Sequence, residues 1–300
     1  MQKPQSLKNG DTVAIVSPAG AVRDTSIIEG ACRTLHSWGL NTTVAPNTLL
    51  RDGYYAGSAT VRRDSLLSLI NDNNIKAILC SYGGYGCIHI ADTVADAIAE
   101  NPKWIMGMSD CSVLHAACLS KGIMSLHSPQ CRHLSESPQS EAALHLRDIL
   151  FGGKAHYSTE PHPLNICGTA HGRIAGGNLS VLHSLISTPY DIFSKGTILF
   201  IEDINEPVYR IERMLYITQT IGFGERIVCE GSRRDKGTRQ CITETGILIV
   251  KMPEEETMVT AYIPTLEQAG MIYKSVGLRM PDWMVRKIKK NQKYAKGCPA

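Results

Sequence analysis

Short apolar, β-branched runs recur through the first half of the chain, each closed by turn residues and followed by helical spacing. This alternation constrains the fold more than any other feature. "TVAIVSPAG", from Thr12, reads as a buried strand entering a Ser-Pro-Ala-Gly turn, and "TSIIEGACRTLHSWGL" then carries apolar residues at helical spacing up to a glycine. "NTTVAPN" follows as a second strand. The unit repeats: "SATVRRDSLLSLINDNN" is a capped helix, "IKAILCS" a strand, "CIHIADTVADAIAENP" a helix, "WIMGM" a strand and "CSVLHAACLSKG" a helix. Strands and helices alternating at this interval predict an α/β fold, a parallel sheet covered on both faces, with ligands at the carboxyl ends of its strands.

The periodicity weakens after Leu134. One helix, "SEAALHLRDILFGG", precedes a Pro- and His-bearing stretch, "HYSTEPHPLNICG", and regular signals resume with "GRIAGGNLSVLHSLIS", the strand "GTILFIEDI" and the helix "VYRIERMLYITQTIG". Residues 1–134 are therefore expected to form an N-terminal domain, 135–170 a linker region, and 171–300 a smaller C-terminal domain. Within the last, 217–300 is atypical: "GILIVKM" and "MVTAYIP" read as strands and the remainder shows little periodicity.

Composition narrows the functional classes. The 31 Lys and Arg against 28 Asp and Glu leave a formal charge of +3, too small and too evenly spread for a nucleic-acid partner. One basic cluster, Arg286, Lys287, Lys289, Lys290, Lys293 and Lys296, reads as a solvated tail or helix face. No run approaches the roughly 20 apolar residues that cross a bilayer, and "MQKPQSLKNGD" lacks the apolar stretch of a secretory signal. A cytoplasmic protein with no membrane partner is expected. Ten dispersed cysteines without a C-x-x-C pair read as reduced, mostly buried thiols. No H-E-x-x-H and no Cys/His pairing at zinc spacing occurs, so neither a metal nor another cofactor is expected.

Three stretches carry candidate chemistry. In "WIMGMSDCSVLHAACL" an apolar strand stops at Gly107 and Ser109-Asp110 opens a helix. A sharp turn there exposes a side chain above the sheet, near helix N-terminal amides; alternatively Ser109 or Asp110 caps the helix. Cys111 occupies the fifth position, so G-x-S-x-G is not met. "SYGGYGC" places Gly83, Gly84 and Gly86 directly after a strand, either as a plain turn or as backbone N–H groups offered to an anion or developing oxyanion. "ILFIEDINEPVYRIERML" sets Glu202 and Asp203 at a strand end, either to orient an imidazole or to pair with Arg210 or Arg213.

Together, "TVAIVSPAG", "GYYAGSATVRRDSLLSLINDNNIKAILCSYGGYG", "PKWIMGMSDCSVLHAACLSKGIMSLHSPQ", "GRIAGGNLSVLHSLISTPYD" and "ILFIEDINEPVYRIERML" resemble the LD-carboxypeptidases in order, from about Gly10 to Tyr216. The resemblance implies a flavodoxin-like N-terminal domain, a smaller C-terminal domain and a homodimer. It also implies a serine peptidase with a Ser-Glu-His triad, removing terminal D-alanine from an L,D-peptide bond in recycled murein peptide. Ser109 matches the nucleophile and Glu202 the acid, while Gly83, Gly84 and the amide of Asp110 match the oxyanion site. Tyr82 stands where the family usually has an arginine. The family's histidine, in a late Gly-His loop, has no counterpart, because the last histidine here is His183. As substitutes, His127 reads as structural or site-lining, His115 projects to another side of its helix, and the tail lysines face solvent. The abrupt break after "RIERMLY" is what a change of reading frame near Ile217 produces. In that case residues 222–300 pack poorly, "ILFIEDI" is thinly covered, and the chain keeps the fold but at most binds peptide.

Overall fold

The computed structural model describes residues 1–154, 171–193, 197–218, 239–242, 248–251, 259–262 and 285–286. These divide into two compact units, the first built from 1–154 with Leu185–Ile192 and the second from the remainder.

In the first unit β1 (Thr12–Val16), β2 (Asn41–Val44), β3 (Ile75–Cys80), β4 (Trp104–Gly107) and β5 (Leu126–His127) form one parallel sheet in the order β2-β1-β3-β4-β5. The alternation of strands and helices dictates this result. Helix α1 (Ser26–Ser37) leads from β1 to β2, whereas α2 (Ala59–Asn71), α3 (Ala91–Glu100) and α4 (Ser112–Ser120) lead towards the other edge. Right-handed crossovers therefore send α1 to one face and α2, α3 and α4 to the opposite one. Helices α5 (Cys131–Glu136) and α6 (Glu141–Leu150) join α1, so that Val13, Ile15, Leu79, Trp104 and Met106 meet Leu35, Leu134 and Leu146 in one core. The alternate strand residues Ala14, Val16, Ile78 and Ile105 are equally buried beneath the other layer. The direction of strand addition reverses between β1 and β3, and the loops leaving those two strands meet at a backbone hydrogen bond, Gly20 N–H to Gly83 O, 2.9 Å.

The second unit contains a parallel pair, β6 (Arg173–Asn178) and β7 (Thr197–Glu202), with α7 (Leu179–Ser184) and α8 (Val208–Thr218). Leu199 and Ile201 are buried, so the thin cover expected over "ILFIEDI" does not apply to the inner face of β7. A separate antiparallel sheet comprises β8 (Arg239–Ile242), β9 (Leu248–Lys251) and β10 (Val259–Tyr262). The latter two strands coincide with "GILIVKM" and "MVTAYIP"; β8, in the polar "RQCI", has too little alternation to be read in advance. The stretch "HYSTEPHPLNICG", the basic residues beyond Arg286 and most of 222–300 lie outside the described residues. Among those described, no helix is long and apolar enough to cross a membrane. Cys80, Cys87, Cys111, Cys118 and Cys131 are buried free thiols, as expected for reduced core cysteines.

Candidate active site

Strand β4 ends at Gly107, and the chain turns through Ser109–Cys111 as one 3-10 turn before α4 begins. Ser109 has φ +61°, in the left-handed region, at a cost of about 1–3 kcal/mol for a residue with a side chain. Strain of this kind is retained where the surroundings over-determine it, and here they do. Gln130 donates Nε2 to Met108 O at 3.1 Å, and the buried Asp110 carboxylate accepts the Cys87 amide at 2.8 Å. Neither Ser109 nor Asp110 caps α4: its N-cap is Cys111, with no side-chain capping bond. Ser109 is partly exposed.

The glycine loop closes over this turn. A Cβ built on Gly83 would lie 2.8 Å from Ser109 Cβ, 2.9 Å from its Oγ and 3.4 Å from the Asp110 amide nitrogen. Only glycine allows that approach. Gly84, at φ +92°, lets the loop turn back, and the half-exposed Tyr82 ring lies against Gly20 and Gly84. Ser109 and Asp110 thus gather with Gly83 and Gly84, more than twenty residues earlier in sequence, at the carboxyl end of the sheet.

Two imidazoles lie near the base of the turn, and neither is poised to accept a proton. His115 has one ring nitrogen 2.9 Å from Gly107 O and the other 2.9 Å from Ser125 Oγ. Burial lowers its pKa, with partial compensation from the Gly107 carbonyl. His127, whose ring centre is 5.9 Å from that of His115, is pushed down to about 3 by burial and by His115. Both belong to the neutral support of the turn.

In the second unit Glu202 and Asp203 close β7. Asp203 is enclosed by donors: Asn178 Nδ2 at 3.2 Å, the Ser180 amide at 2.9 Å and the Ile204 amide at 2.7 Å. Asn178 Oδ1 in turn accepts Ser180 Oγ and the Val181 amide, capping α7. Burial, then the charge of Asp203, pushes Glu202 up to about 7, while a hydrogen bond with Asn178 pulls it down. Arg210 pairs with Glu206 at 3.4 Å.

The Glu202 shift carries a signed stability effect. Between its ordinary 4.5 and about 7, the unfolded chain releases the proton that the folded chain retains, so stability falls as pH rises through that window. The loss is on the order of 3 kcal/mol. Glu202→Gln removes the titration, and by calorimetry this variant is expected to melt above the parent at pH 8, with the gap closing below pH 5. A gap independent of pH would contradict the assignment.

Sequence reading missed Arg62 and Gln130. Arg62 left a trace: with Leu66 and Ile70 it occupies the buried stripe of α2 at four-residue spacing, whereas Arg63 does not. Gln130 left none.

A five-stranded parallel sheet with a strained serine turn at its carboxyl edge, pressed by a glycine loop, defines an α/β protein of the type that presents a side chain above the sheet. Comparison with known proteins identifies the class. The LD-carboxypeptidase N-terminal domain matches residues 13–128, and the LD-carboxypeptidase C-terminal domain matches 171–228, carrying the likeness past Ile217. The probable murein peptide carboxypeptidase of Bacillus subtilis is 34% identical over 224 residues, covering 71% of this chain and 68% of the relative. The murein tetrapeptide carboxypeptidase of Pseudomonas aeruginosa is 30% identical over 215 residues, covering 68% and 70%. The fold is shared with the MccF-like protein of Bacillus anthracis, at TM-score 0.66, 22% identity and coverage of 78% and 80%. It is shared also with the muramoyltetrapeptide carboxypeptidase of Oxalobacter formigenes, at TM-score 0.59, 24% identity and 74% of each chain. The chain belongs to the LD-carboxypeptidase family.

Proposed function

We propose that the chain is a serine carboxypeptidase that hydrolyses the L,D-peptide bond to the terminal D-alanine of a murein tetrapeptide, in the cytoplasm and as a homodimer. The observation that carries this reading is Ser109 at φ +61°, with Gly83 against its side chain. Ser109 Oγ attacks the scissile carbonyl, and the backbone amides around Gly83, Gly84 and Asp110 receive the negative charge that develops on its oxygen. As the C–N bond breaks, its nitrogen takes up a proton from water and D-alanine leaves as the free amine. A second water then adds to the acyl-serine, breaking the C–O bond to Ser109, which regains a proton as the shortened peptide leaves as its carboxylic acid. Glu202 is the acid of this set. No histidine follows His183, and both ring nitrogens of His115 are engaged. With His115 and His127 set aside among the described residues, the proton of Ser109 passes, on this reading, to water or a solution base, which makes the reaction slow.

Two tetrapeptides, ending in D-alanine and in L-alanine, test the reading when each is incubated with the protein for days and the products are resolved by chiral chromatography. Alanine is expected only from the first. Alanine from neither, or equal alanine from both, would overturn it.

A further inference from the structure

We propose that Arg62 and Asp110 are positioning residues that grip the Gly86–Cys87 peptide from its two ends and thereby hold the glycine loop against Ser109. Arg62 is 1% exposed, although it carries a permanent charge. Its guanidinium spends its donors on backbone carbonyls from three separate loops: Nε on Gly57 O at 3.2 Å, and Nη1 on Pro18 O and Gly86 O, both at 2.8 Å. Nη2 faces His89 Nδ1 at 3.3 Å, and because a guanidinium only donates, that nitrogen is the acceptor. The Tyr55 ring lies across the guanidinium, its centre 5.0 Å from Cζ.

Gly86 O is one end of a peptide plane whose other end, the Cys87 N–H, donates to Asp110 Oδ2 at 2.8 Å. A buried cation and a buried carboxylate thus hold one peptide unit between them. The arrangement has an electrostatic reason. A buried guanidinium without a counter-charge is costly, and so is the carboxylate of Asp110, 3% exposed. Burial raises the pKa of Asp110, while the Cys87 donors and, more weakly, the charge of Arg62 draw it back. Each end of the peptide dipole faces the charge that favours it, so the plane is oriented in one sense only.

The consequence reaches the serine. Gly86 sits at φ +135°, and a Cβ there would lie 2.6 Å from Arg62 Nη1, so the loop has no slack on that side. On the other side Gly83 touches Ser109, and Asp110 is its neighbour in sequence. Turning the Gly86–Cys87 peptide would therefore disturb both walls of the site.

The proposal rests on the hydrolytic reading only in its kinetic arm, so its structural arm is measured by amide hydrogen exchange, resolved by NMR. In Arg62→Gln the Cys87 amide is expected to exchange at least tenfold faster, while the Ile15 and Ile105 amides in β1 and β4 stay at the parent rate. Asp110→Asn is expected to give a smaller rise, and the double variant no more than the larger single effect, because both act on one peptide. Should Arg62→Gln fail to fold, Arg62→Lys carries the test, since one ammonium group does not span three loops. An unchanged Cys87 rate, or a rise shared equally by Ile15 and Ile105, would overturn the proposal. In the kinetic arm, Arg62→Lys is expected to lower kcat for D-alanine release at least tenfold with KM within about twofold. A fall confined to KM would likewise overturn it. Absence of hydrolysis by the parent would count against the hydrolytic reading, with the exchange result still deciding this one.

Discussion

Turnover of a murein tetrapeptide by this chain is expected to lie roughly 10⁴- to 10⁶-fold below that of a family member carrying the late Gly-His loop. The reason is chemical. A serine hydroxyl attacks a carbonyl only as its proton departs, and the group that takes the proton works best with a pKa near the operating pH. His115 is held between Gly107 O and Ser125 Oγ, and His127 is pushed down to about 3, so neither is available. On the proposed reading, what remains without an imidazole is the contribution of substrate binding and of the backbone donors around Gly83 and Asp110, typically 10³- to 10⁴-fold over water. Steady-state D-alanine release, measured for both proteins under one set of conditions, checks this. Rates within tenfold of each other would show that the chain supplies a base after all.

Trp104→Ala is expected to destabilise the first unit by about 3–5 kcal/mol. Trp104 is 2% exposed, packs in the same core as Leu35, Leu134 and Leu146, and donates its indole N–H to Gln5 O at 3.0 Å. Truncation removes the largest buried side chain of β4 and leaves that carbonyl in need of water. The effect is also local to the site, because Trp104 opens the strand that ends at the Ser109 turn. Trp104→Phe retains most of the packing and is expected to cost less than half as much. Urea unfolding followed by circular dichroism reads both, and a loss under 1 kcal/mol for the alanine variant would contradict the placement of Trp104.

The order of strands and helices in the first unit was legible because each strand is a continuous apolar run between turn residues, and each helix carries a buried stripe. Leu66 and Ile70, or Val94 and Ile98, mark such a stripe without any knowledge of the neighbouring element. The position of Ser109 was legible for the same reason: Gly107 ends one period and Leu114 belongs to the next. What strand and helix periods leave unsaid are contacts between loops. The bond from Cys87 to Asp110 spans 23 residues and that from Arg62 to Pro18 spans 44, and neither leaves a periodic trace. A buried arginine also contradicts the ordinary expectation that charge faces solvent, and only its spacing from Leu66 and Ile70 betrays it. The acidic pair at Glu202 and Asp203 could be seen in sequence as a strand end. Its asymmetry could not, since the donors that enclose Asp203 come from Asn178, Ser180 and Ile204.

The most direct test of Ser109 as the nucleophile supplies a base from solution. The protein and its Ser109→Ala variant are each incubated with murein tetrapeptide across a series of imidazole concentrations at constant pH and ionic strength, and D-alanine is quantified by chiral chromatography. The parent is predicted to release D-alanine at a rate that climbs with imidazole, while the variant stays at the level of peptide alone. Equal release by parent and variant, or a parent rate that imidazole leaves at the level of peptide alone, would contradict the assignment of Ser109.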